Sequence, residues 1–205
     1  MSDDEVLDRQ QAADRSIERL KEGNERFVGG RAKAPVFRAD QAAAMAEGQQ
    51  PFATILGCSD SRVPPEFIFD AWLDQLFVVR VAGNVLGPSV IATLQYASHH
   101  LHTPLFVVLG HEGCGAVTAA LAYRFEAHQE ADRIEALLDL IVPALEGLDR
   151  LASDEERLHA AVEANVRRTL QLLIESAEGA TQLERGARLV GAIYELHTGR
   201  VRFLD

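Results

Sequence analysis

Two short stretches of the sequence carry the side chains that could do chemistry. "CSDSR", Cys58 to Arg62, sets a thiol, a carboxylate and a guanidinium within five positions. "HEGC", His111 to Cys114, sets an imidazole and a second thiol three residues apart. Two thiolates and an imidazole form a zinc ligand set. The chain has only two cysteines, so a four-sulfur structural site is excluded. The one nearby candidate for a fourth ligand is Asp60. Three protein ligands with one position left open is the arrangement of a catalytic zinc.

Charge decides what such a centre can do. Two thiolates cancel the two positive charges of zinc. If Asp60 also bound, the centre would become negative and its open position would close. Arg62 stands two residues beyond Asp60, within reach of a bidentate pair with its carboxylate. The expected arrangement is therefore a gate: Asp60 is a conditional fourth ligand in a closed state and is otherwise held by Arg62. An ionised carboxylate only accepts hydrogen bonds. Asp60 could accept one from a zinc-bound hydroxide and leave a lone pair aimed at a small carbon electrophile. Each motif alone has a plainer reading. Asp–Arg pairs two apart are often surface ion pairs of little worth, and two cysteines can be one disulfide or two inert thiols. What lifts the pair above those readings is that each motif ends a predicted strand.

The elements that must position these groups are legible as apolar runs. Phe52–Leu56, Gln75–Val81, Leu105–Leu109 and Leu189–Tyr194 are short, rich in β-branched and aromatic residues, and lack polar alternation. That pattern suits strands covered on both faces of a parallel sheet. Helices are predicted at Ser16–Val28, Asp40–Glu47, Ser89–Leu101, Gly113–Phe125, Ala131–Leu145 and Glu155–Glu175, and Glu195–Leu204 reads as a final hairpin-like pair turning at Thr198-Gly199. Alternating strands and helices give an α/β fold with a mainly parallel central sheet flanked by helices. With no internal repeat or linker, residues 1–205 read as a single domain. Sites in such sheets form beyond the carboxyl ends of strands, where Cys58 and His111 fall.

The formal net charge of −11 argues against nucleic acid as a partner, since phosphate binding needs a basic surface. No apolar run approaches the length of a membrane span, and the acidic start "MSDDEVLDRQ" lacks the features of a secretory signal. A cytoplasmic location is expected. His99, His100 and His102 read as a solvated helix end rather than a second metal site. His128 and His159 are expected at the surface, His197 near a turn with no role, and Trp72 in packing.

With the two motifs in place, the sequence resembles the β-class carbonic anhydrases. The resemblance rests on Cys58-Ser59-Asp60-Ser61-Arg62 and His111-Glu112-Gly113-Cys114-Gly115, and extends through "EGNERFVGG" (Glu22–Gly30), "LFVVRVAGN" (Leu76–Asn84), "LQYASHHL" (Leu94–Leu101) and "GAIYELHTGRVRFLD" (Gly191–Asp205). It implies zinc on Cys58, His111 and Cys114, an Asp60–Arg62 catalytic dyad, and reversible hydration of carbon dioxide to bicarbonate. It assigns Gln49 (with Gln50 as the alternative), Phe77, Ala82 and Gly115 to the substrate pocket. It also implies a homodimer, or a tetramer of paired dimers, with pocket groups from both subunits and the Ser16–Val28 helix lying across the partner. One subgroup carries a noncatalytic bicarbonate pocket whose arginine matches Arg80. Its tryptophan position is Ile55 here, so that pocket is not expected. The short loop after Asn84, "VLGPSV", carries no tyrosine matching the plant-type pocket. Two other functions fit the same zinc motif: hydrolysis of carbonyl sulfide or carbon disulfide, and a non-catalytic zinc-stabilised scaffold.

Overall fold

The computed structural model describes residues 2–33, 42, 45–148 and 153–204. Of the helix expected at Asp40–Glu47, residues 40, 41, 43 and 44 lie outside these, and 42, 45 and 46 are helical. Five strands form one sheet in the order β2-β1-β3-β4-β5, with β1 Ala53–Gly57, β2 Leu76–Arg80, β3 Leu105–His111, β4 Arg188–Tyr194 and β5 Val201–Leu204. The first four run parallel, and β5 pairs antiparallel with β4. Strand order reverses about β1: β2 lies on one side of it and β3 on the other. The carboxyl ends of β1 and β3 therefore flank the crevice where α/β sheets place their sites.

Every residue of β1 and β3 is buried, as their unbroken apolar runs require. Ile55, Leu56, Leu105 and Leu109 are nearly inaccessible, each contributing about 1.5–3 kcal/mol by leaving water. β2 departs from expectation. Leu76–Val79 are only half-buried and Arg80 is exposed, because β2 is an edge strand. An apolar run does not reveal whether a strand is central or at an edge. The terminal hairpin is also differently built. Its first arm is β4 itself, and the turn at Thr198-Gly199 returns the chain into β5.

Helices α1 Asp3–Val28, α2 Pro65–Ile68, α3 Pro88–Tyr96, α4 Gly115–Phe125, α5 Asp132–Ile141, α6 Asp154–Glu175 and α7 Ala177–Glu184 surround the sheet. α1 begins thirteen residues before the expected start at Ser16. Ser2 and Glu5 form a reciprocal capping box, with Asp3 and Asp4 in the first turn, which suits the helix dipole. Its stripe, Ala13, Ile17 and Leu20, is buried in the chain's own core. Ser16 donates to the Phe52 carbonyl at 3.0 Å, and Asn24 donates to Gly199 O at 2.8 Å. Phe27 and Val28, further along the same helix, are only half-buried. α6 lies so close to the sheet that a Cβ on Gly110 would come within 2.4 Å of Val166 Cγ2. No helix among the described residues is long and apolar enough to cross a membrane.

Gly23 tests the seating of α1. Alanine in place of an interior helical glycine normally stabilises by about 0.5–1 kcal/mol. Here the added Cβ would lie 1.9 Å from the Phe69 carbonyl oxygen. Gly23→Ala is expected to destabilise instead, by about 1–3 kcal/mol, read as a lower urea midpoint. An unchanged or higher midpoint would contradict this packing.

Candidate metal centre

The loop after β1 delivers Cys58, the last residue of β3 is His111, and Cys114 is the N-cap of α4. β1 and β3 are hydrogen-bonded neighbours, with Gly57 opposite Leu109, so the two motifs meet. The ligand atoms of Cys58, His111 and Cys114 all lie within 4.8 Å of one another, and all three residues are buried. The two sulfurs are 4.0 Å apart and form no disulfide.

The tautomer of His111 is set by its surroundings. Nδ1 faces the Glu112 carbonyl at 2.8 Å, so it carries the proton and donates. Nε2 is buried with no hydrogen-bond partner. An orphaned imidazole nitrogen costs free energy unless something satisfies it, and here it points into a pair of thiols. That donor set fits zinc, which takes two thiolates and a neutral imidazole. The thiols themselves call for a cation. The Cys114 thiol donating to Cys58 draws the Cys58 pKa down, and Gly83 N–H at 3.4 Å from Cys58 Sγ acts in the same direction. Cys114 is pushed up by that same pairing and by burial. Two thiols this close oppose carrying two negative charges, which a dication would offset.

Asp60 is not a member of this set. Its Oδ1 accepts from Arg62 Nε at 2.9 Å and from Arg62 N at 2.9 Å, and its Oδ2 accepts from Nη2 at 2.7 Å. The guanidinium holds the carboxyl well below the usual carboxylate range. Arg62 also donates to Gly113 O at 3.3 Å, joining the two motifs.

Two further residues brace the centre. Arg80 donates through Nε to Cys58 O at 2.9 Å and through Nη2 to Asp60 O at 2.5 Å. Arg80 therefore supports the backbone of the metal loop, a role the sequence reading did not give it. Ile55, at the position of the missing tryptophan, is fully buried. Asn165 on α6 is buried and donates to Gly83 O at 2.8 Å, fixing the turn whose N–H meets Cys58. Its signal in the sequence is an amide on a mostly apolar helix face.

The four pocket residues divide. Ala82 adjoins Gly83 beside Cys58, and Gly115 adjoins Cys114, with open space where its Cβ would be. Phe77 pairs with Thr54, and Gln49 precedes β1 altogether. Phe77 therefore lies about 13 Å along the sheet from Cys58 at about 3.3 Å per residue, and Gln49 adjoins Gln50, whose N–H meets Asp74 just ahead of β2. One chain does not bring them to its own metal centre. A cleft of about 730 Å³ beside Phe67 and Trp72 is lined by none of these site residues. His99 and His100 are exposed, and His99 meets Glu178 Oε2 at 3.0 Å. His197 approaches Glu112.

Comparison with known proteins agrees with this geometry. The carbonic anhydrase family model matches residues 53–201. This chain belongs to the β-class carbonic anhydrases. Carbonic anhydrase 2 of Mycobacterium tuberculosis is 39% identical over 193 residues, covering 91% of this chain and 90% of its own. The carbonic anhydrase of Mycolicibacterium smegmatis is 36% identical over 189 residues, covering 89% and 88%. Among solved structures, a tetrameric β-carbonic anhydrase from Sordaria macrospora superposes with a TM-score of 0.74 at 26% identity, covering 80% of this chain and 85% of that one. The α/β fold and mainly parallel sheet are those of this β-class family.

If the buried triad is the metal site, Cys58→Ser should lose zinc while Asp60→Asn keeps about one zinc per chain, as a three-ligand site requires. Metal analysis after dialysis checks this. Full zinc in Cys58→Ser would contradict the ligand assignment.

Proposed function

We propose that this chain catalyses the reversible hydration of carbon dioxide to bicarbonate and a proton. The observation that carries the reading is the combination of an unpartnered His111 Nε2 beside two thiols with an Asp60 whose two oxygens are both taken by Arg62. Cys58, His111 and Cys114 would hold zinc, whose Lewis acidity makes a hydroxide nucleophile available near neutral pH.

The remaining work belongs to side chains. Arg62 keeps Asp60 ionised and off the ligand set. An ionised Asp60 accepts a hydrogen bond from the attacking hydroxide and so aims a lone pair of that oxygen at the carbon of carbon dioxide. Arg80 and Asn165 keep the Cys58 loop and the Gly83 turn in register with that geometry. Ala82 and Gly115 line the pocket from the same chain. Gln49 and Phe77 enter it from a second copy, because both lie at the amino end of the sheet, away from Cys58. This is the reason to assign a homodimer, alone or paired into a tetramer, to the working enzyme.

The test is stopped-flow carbon dioxide hydration on zinc-quantified protein from about pH 6.5 to 9, the range in which zinc-bound water titrates. Hydration well above the buffer rate is expected. Absence of hydration at every pH with zinc bound would overturn the reading and favour a sulfur-containing electrophile or a scaffold. Because Arg62 holds the Asp60 pKa far below this range, Asp60 stays ionised throughout and contributes no inflection.

Asp60→Asn and Arg62→Ala should each lower kcat/KM by about 100-fold or more, the scale of a lost proton-handling group, with zinc content unchanged. Full activity in either would remove the dyad from the mechanism.

A further inference from the structure

Glu112 follows the metal ligand His111 and is not itself a member of the ligand set. Its backbone nevertheless controls that ligand. The Glu112 carbonyl receives the His111 Nδ1 proton at 2.8 Å, which leaves Nε2 as the free donor atom. The peptide bearing that carbonyl runs into Gly113, whose φ is +59°. A glycine in the left-handed region lets the Glu112–Gly113 peptide rotate at little steric cost. Rotation would take the carbonyl away from Nδ1 and release the ring.

Several contacts oppose that rotation, and one uses the Glu112 side chain. On the inner side, Arg62 donates to Gly113 O at 3.3 Å. On the sheet side, Glu112 N donates to Tyr194 O at 3.0 Å. On the outer side, Glu112 Oε2 accepts from Leu196 N at 2.9 Å, with His197 Nδ1 further off at 3.4 Å. Leu196 lies in the turn between β4 and β5, and that turn is itself anchored. Asn24 of α1, only 6% exposed, donates to Gly199 O at 2.8 Å and accepts from Val201 N at 2.9 Å. A continuous path of hydrogen bonds runs from α1 through the turn to Glu112 and His111.

We propose that Glu112 is a positioning residue for His111, its carboxylate clamping the Glu112–Gly113 peptide to Leu196 N–H so that the imidazole keeps Nε2 on the metal. The proposal rests on the metal-centre reading above. It depends on the reach of the acceptor oxygen and not on its charge. Glutamine keeps that reach. Aspartate keeps the charge but is one methylene too short for the same contact, and alanine has neither.

The experiment measures zinc affinity of the full chain by competition with a chromophoric chelator, and records the spectrum of cobalt-substituted protein as a report on ligand geometry. Glu112→Ala and Glu112→Asp are expected to weaken zinc binding by about 10–100-fold, the usual effect of losing an outer partner of a metal ligand. Both should also shift the cobalt spectrum. Glu112→Gln and His197→Ala should stay within about threefold of the unsubstituted chain, with its cobalt spectrum, since each leaves a side-chain oxygen at position 112 within reach of Leu196 N–H. Should Glu112→Ala fail to fold, Glu112→Asp against Glu112→Gln decides. Unchanged affinity in Glu112→Asp, or equal loss in Glu112→Gln, would overturn the proposal while zinc uptake by the unsubstituted chain left the metal centre standing. No zinc uptake by the unsubstituted chain would overturn both.

Discussion

Two thiols 4.0 Å apart in a buried site are the constraint on which the rest of this structure depends. Both cannot ionise there without a cation, and an imidazole nitrogen beside them has no protein partner. The site is therefore organised around a charge that the protein does not itself supply. Cancelling that charge with two thiolates leaves little margin. A third anion on the centre would close it, so the position of Asp60 matters more than its presence. The Arg62 fork occupies both carboxylate oxygens and is tied to the opposite motif through Gly113 O.

The supporting structure follows from the need to bring two strand ends together and hold them. β1 and β3 are fully buried neighbours at the point where strand order reverses, so the loops that leave them converge. Close approach of α6 requires Gly110 to lack a side chain, and it brings Asn165 to the Gly83 carbonyl. Arg80, exposed at the end of an edge strand, folds back to two carbonyls of the Cys58 loop. These contacts touch neither the metal ligands' donor atoms nor a substrate. They fix where the donor atoms are.

Much of this was legible in the sequence because its signals are local. An unbroken apolar run ending in Gly-Cys or Gly-His announces a buried strand followed by a chemical group, and the expected ligands Cys58, His111 and Cys114 do converge. The Asp60–Arg62 pair needed only a two-residue spacing. What was not legible depends on pairing order. Phe77 and its neighbours look like a central strand until β2 is found at an edge, and Arg80 finds the Cys58 loop only through the register that sets it opposite Gly57. The first half of α1 has no apolar periodicity, yet Ser2 and Glu5 spell its capping box, a signal available and passed over. α7 was missed because it is short and contains Gly179, although Ser176 caps it. Gln49 and Phe77 show the limit of a single chain. Their assignment to a pocket acquires a geometric meaning only if a second copy carries them to the metal.

The most direct test of the central claim is a crystal structure of the zinc-loaded protein at about pH 7.5, within the range in which a zinc-bound water titrates, with diffraction recorded across the zinc absorption edge. The account expects one anomalous peak bounded by Cys58 Sγ, His111 Nε2 and Cys114 Sγ, with both Asp60 oxygens still on Arg62 and solvent in the fourth position. A peak coordinated by Asp60, with Arg62 released, would contradict it, as would zinc bound anywhere else.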